Sequence, residues 1–80
     1  MKKLNTIWNK LDTIREELDD LIGELEEKQS AIEEKAIDHD RDMTDREQER
    51  YDELEEIMDA IRECMDNIEY AQGNIEEYTE

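Results

Sequence analysis

The stretch "LNTIWNKLDTIREELDDLIGEL", residues 4–25, places its apolar side chains on a regular beat. Leu4, Ile7, Leu11, Ile14, Leu18, Leu21 and Leu25 follow one another in alternating steps of three and four. That spacing predicts a helix with an a/d heptad stripe. The pattern runs on through Lys28, Ile32 and Lys35, where it turns partly polar. A second run, Leu54, Ile57, Ile61, Cys64, Ile68, Ala71, Ile75 and Tyr78, keeps the same alternation. Proline is absent, and Gly23 and Gly73 both fall at position f, away from the stripe. Runs of β-branched residues are missing, so strands are not expected.

Between the runs, Thr44 followed by Glu47 fits a capping box that starts a second helix. Thr13 with Glu16 and Ser30 with Glu33 match the same short motif, but inside the first run. The chain is therefore read as one all-α unit, an antiparallel two-helix coiled-coil hairpin. Its expected parts are helix 1 over 3–37, a turn over 38–44 and helix 2 over 45–78. Pairing residues whose numbers sum to 82 gives apolar layers, among them Leu25 on Ile57, Leu18 on Cys64 and Ile14 on Ile68. This register centres the bend at residue 41 and buries Cys64 as an inert thiol.

The e positions carry a second apolar row: Trp8, Ile22, Tyr51, Met58 and Met65, interrupted by Arg15, Gln29 and Gln72. With a and d inside the hairpin, this row is expected to face a partner. Two copies joined by it would form a homodimeric four-helix bundle. Such a dimer resembles the Rop-type hairpin dimers in topology. No Rop sequence signature is present, and the acidity argues against their RNA binding.

Acids outnumber bases by 27 to 10, for a net charge of −17. That argues against direct binding to nucleic acid or anionic membrane and permits attraction to a basic protein partner. An acidic face is expected from Asp12, Glu16, Asp19, Asp20, Glu26 and Glu27 on helix 1. Asp52, Glu55, Glu56, Asp59, Glu63 and Asp66 continue it on helix 2. A dimer's −34 along about 50 Å approaches the charge density of duplex DNA, roughly one per 1.7 Å. The composition resembles that of small acidic inhibitors of phage origin. A DNA-mimicking inhibitor of a nucleic-acid-binding protein is the first functional expectation. The alternative is a structural or adaptor coiled coil that binds another helix through the e row.

The turn raises a lesser possibility. In "DHDRDMTDREQE", residues 38–49, Asp38, Asp40, Asp42 and Glu49 occupy positions 1, 3, 5 and 12 of a calcium loop of the EF-hand type. Position 6, where that loop needs glycine, is Met43, and position 9 is the cation Arg46. No enzyme signature is found: the single histidine, His39, sits in the turn, far from Cys64. No cofactor is expected. One cysteine and no signal-like or membrane-spanning apolar run point to a cytoplasmic location.

Overall fold

The computed structural model describes residues 2–79, with Thr79 described by its backbone alone. Two helices, α1 (Lys2–Asp38) and α2 (Asp45–Thr79), pack antiparallel into a rod measuring 58 × 15 × 14 Å. Among the described residues, no helix is long and apolar enough to cross a membrane.

The bend is held by backbone geometry at both helix ends. The Arg41 N–H donates to the Ala36 carbonyl at 3.1 Å, and the Asp40 N–H donates to Ile37 at 2.9 Å. These two bonds form a Schellman cap, with Asp40 in the left-handed conformation at φ 50°. Aspartate is one of the few side chains other than glycine that visit this region routinely. At the start of α2, the Glu47 N–H donates to the Thr44 hydroxyl at 3.1 Å. The Thr44 N–H in return donates to the Glu47 carboxylate at 3.0 Å. This is the reciprocal capping box expected from the sequence.

Arg41 ties the two caps together, its guanidinium lying 2.6 Å from Glu47 Oε1. The hydrogen bond from Arg41, joined by the one from the Thr44 backbone, lowers the Glu47 pKa from 4.5 to about 2. The folded value is below the ordinary one, so the unfolded chain binds the proton more readily. Glu47 therefore stabilises the fold fully above about pH 4.5 and loses that effect as pH falls towards about 2. Thermal melts should show Glu47→Gln less stable than the parent near neutral pH. The gap should close on acidification; a gap constant down to pH 2 would contradict this account.

The seam between the helices runs along the a and e positions. In α1 it holds Leu4, Trp8, Leu11, Arg15, Leu18, Ile22, Leu25, Gln29, Ile32 and Ala36, all buried or half-buried. In α2 it holds Glu47, Tyr51, Leu54, Met58, Ile61, Met65, Ile68, Gln72 and Ile75, likewise shielded. Ile22, Leu25, Leu54 and Met58 form the core cluster, with Ile32, Ile61 and Met65 packed against it. Met58 is the most deeply buried, at 1 % exposure.

The expected a/d seam is thus rotated by one row. Ile7, Ile14, Leu21 and Ile57 remain 46 %, 44 %, 39 % and 48 % exposed, and Cys64 is exposed rather than buried. The reason lies near the bend. There the d row offers Lys28, Lys35 and Arg50, whereas the e row offers Gln29, Ala36 and Tyr51. Burying an unpaired cation costs several kcal/mol, at a rough estimate. A glutamine with hydrogen-bond partners costs far less.

The register shifts as well. Trp8 meets Glu76, Arg15 meets Glu69, Gln29 meets Glu55, Gln72 meets Asp12, and Tyr51 meets Glu33. Each pair joins an e residue to a b residue, and in each the residue numbers sum to 84. The seam layers beneath them sum to 83, which puts Leu25 level with Met58 and Ile22 level with Ile61. This is one residue beyond the 82 expected for an a/d seam.

Candidate protein-binding surface

Placing the seam on a and e leaves two unlike sides on the rod. One side carries the d and g rows, the other the b and f rows, and the c row forms the back of each helix. The five polar e-to-b pairs named above lie on the b side, as does the Arg62–Glu26 ion pair at 3.5 Å. Arg15 on the seam reaches Asp12 at 2.9 Å and Glu69 at 3.3 Å. The Glu33 carboxylate, hydrogen-bonded to the Tyr51 hydroxyl, raises the tyrosine pKa above its ordinary value.

Two glutamines anchor this side from within the seam. Gln29 Nε2 donates to the Tyr51 carbonyl at 3.2 Å and to Glu55 at 2.9 Å. Gln72 Nε2 donates to the Trp8 carbonyl at 3.2 Å and to Asp12 at 3.5 Å. The arrangement is the same at both ends: an aromatic residue's carbonyl, and a carboxylate four positions further on. Among the described residues, no buried side-chain nitrogen or oxygen lacks a partner.

The d and g rows look different. They carry Ile7, Ile14, Leu21, Ile57, Cys64, Ala71 and Tyr78, with Ala31 and Ala60 beside them. They also hold six of the ten bases, Lys3, Lys10, Lys28, Lys35, Arg46 and Arg50, against four acids, Glu17, Glu24, Asp38 and Glu53. This side is locally basic on a protein of net charge −17. None of these six bases makes a side-chain ion pair among the described residues, whereas Arg15, Arg41 and Arg62 all do. Near the bend, Lys35, Arg41, Arg46 and Arg50 line a shallow cleft together with Ile32, Thr44 and Glu47, the carboxylate that Arg41 holds.

No protein family, curated protein or solved structure matches this chain. Its surface chemistry is therefore read from the residues themselves.

The residues expected to meet a partner sit elsewhere. Ile22 and Met58 are buried in the hairpin's own seam, and Trp8, Tyr51 and Met65 are half-buried along it. The outward apolar row is d. Lys28 and Lys35, where the heptad stripe turns polar, are the sequence signal for this exchange.

The twelve residues of the acidic face all fall on the b, c and f rows. Asp12 and Glu55 are half-buried against the seam, and the other ten are exposed. Lys2 and Arg62 are the only bases on those rows.

The four carboxylates of the calcium-like pattern do not share a loop. Asp38 ends α1, Glu49 lies within α2, and only residues 39–44 separate the helices. The left-handed residue is Asp40, whereas an EF-hand loop would require that freedom at the position of Met43. Among the described residues, no group of three or more His, Cys, Asp or Glu side chains converges to hold a metal ion.

Proposed function

We propose that this chain is a non-enzymatic protein-binding module that docks helices along its d row. The observation that carries the reading is the exposure of Ile7, Ile14, Leu21 and Ile57 in one line on the hairpin. The hairpin's seam is already filled by a and e, so these side chains have no further role in holding the two helices together. A helix laid along them would add a third layer and remove the row from water. Two copies docked this way would complete the four-helix bundle. The test is substitution of Ile14→Glu with Ile57→Glu. Far-UV circular dichroism should report an intact hairpin, while helix docking or self-association is lost. Docking that survives the double substitution would end the proposal.

The segregation of the acids supports a second reading. The b, c and f rows form a nearly base-free acidic surface, suited to the basic groove of a nucleic-acid-binding protein. Salt separates the two modes of binding. Occupation of a phosphate-binding groove weakens steeply between low and moderate salt, whereas apolar docking along the d row changes little. A DNA-displacement assay against a basic DNA-binding protein, run across salt concentrations, reads the difference.

A further inference from the structure

We infer that the d/g side takes a helix from another chain, one with acidic residues near both its ends, rather than a second copy of this hairpin. The inference rests on the docking reading above and is carried by how charge is distributed along that side.

The basic residues occur in two groups. Lys3 and Lys10 lie towards the open end of the rod, while Lys28, Lys35, Arg46 and Arg50 lie towards the bend. Glu17 and Glu24 occupy the middle of α1, and Asp38 and Glu53 lie within the group at the bend, where four cations still outnumber them. From Lys28 to Lys35 is two helical turns, about 10 Å, so the cations at the bend are concentrated rather than scattered. Acids outnumber bases almost three to one in the chain, 27 to 10, yet these six cations have no carboxylate partner among the described residues. The surface is therefore complementary to a ligand that is acidic at its ends and neutral or basic at its centre.

A second copy does not have that pattern. In a dimer with its two-fold axis along the rod, α1 of each copy faces α2 of the other at the same height, which sets Lys35 against Arg46 and Arg50. With the axis across the rod, α1 runs reversed along α1, and Lys28 and Lys35 of one copy face Lys10 and Lys3 of the other. Both arrangements juxtapose like charges at the rim of the apolar row, which electrostatic complementarity disfavours. They also bring together two chains of −17 each. A foreign helix with glutamates flanking its apolar stripe near both ends meets the cations directly. Its apolar side chains then lie along Ile7, Ile14, Leu21, Cys64 and Ile57.

The test uses two synthetic helical peptides of about 28 residues, roughly 42 Å as helices. They share one apolar stripe and differ only in the residues flanking it near the ends, glutamate in one and lysine in the other. Binding to the full chain is read by fluorescence anisotropy and by protection of Cys64 from a maleimide.

The glutamate peptide is expected to bind at least about tenfold more tightly than the lysine peptide and to protect Cys64. Lys35→Glu with Arg46→Glu and Arg50→Glu, all exposed positions, should reverse the preference. Equal or tighter binding of the lysine peptide would overturn the inference while leaving the docking surface in place. So would sedimentation showing that the chain alone is a dimer with Cys64 protected. If peptide binding were unchanged by Ile14→Glu with Ile57→Glu, the docking reading itself would fail, and this inference with it.

Discussion

Met58→Ala is expected to lower stability by about 2–5 kcal/mol, the usual loss when a buried methionine is truncated. Ile57→Ala, at the adjacent position, is expected to cost under about 1 kcal/mol because nearly half of that side chain stays in water. Met58 is 1 % exposed and belongs to the core cluster with Ile22, Leu25 and Leu54. Ile57 points to the d side at 48 % exposure. A two-helix rod has few buried side chains, so its stability stands near the low end of the range for small domains. Losing Met58 removes a large share of it. Chemical denaturation followed by circular dichroism measures both variants, at protein concentrations low enough to exclude association. An a/d seam makes the opposite prediction, with Ile57 costly and Met58 nearly neutral. Equal losses, or a larger loss at Ile57, would sink the seam described here.

The hairpin itself was legible from heptad spacing, the lack of proline and the capping box at Thr44 and Glu47. These are local signals, and each depends on a residue and its near neighbours in the chain. The choice of buried rows was not legible from apolarity alone. The rows a, d and e together make a stripe three positions wide in every seven, and a two-helix seam has room for two of them. Reading the leucines and isoleucines as a/d treats Lys28, Lys35 and Arg50 as flaws in a good row. Reading a/e treats Arg15, Gln29 and Gln72 as flaws instead.

The physical decision turns on which polar groups can find partners when buried. Gln29 finds Glu55 and the Tyr51 carbonyl, and Arg15 finds Asp12 and Glu69. Among the described residues, Lys28, Lys35 and Arg50 have no such partners, and they stay outside. The same choice moved the candidate surface. The acidic face was legible because residues on b, c and f point outward for either seam. The apolar docking row was not, because it is whichever of d and e the seam leaves over. The basic character of the d/g side follows only after that choice is made.

Replacing both seam glutamines, Gln29→Leu with Gln72→Leu, is expected to raise stability by roughly 1–3 kcal/mol, since apolar side chains in place of buried polar groups are often stabilising. For a domain of this size that corresponds to a rise in Tm of about 4–8 °C per kcal/mol. The gain comes with a loss of definition. Each glutamine binds a backbone carbonyl and a carboxylate on the opposite helix, and a displacement of one heptad breaks both bonds at both ends. With leucine there, alignments displaced by seven residues bury almost the same apolar area, and nothing polar distinguishes them. Two chains paired along their whole lengths also become competitive with the hairpin. The double variant should therefore melt higher but less cooperatively, with a transition that depends on protein concentration. Its amide NMR spectrum should broaden relative to the parent. A variant that melts higher and keeps one sharp, concentration-independent state would mean that the turn alone fixes the register. The Schellman cap at Asp40 and the capping box at Thr44 would then suffice to align the helices, and the glutamines would contribute only their local hydrogen bonds.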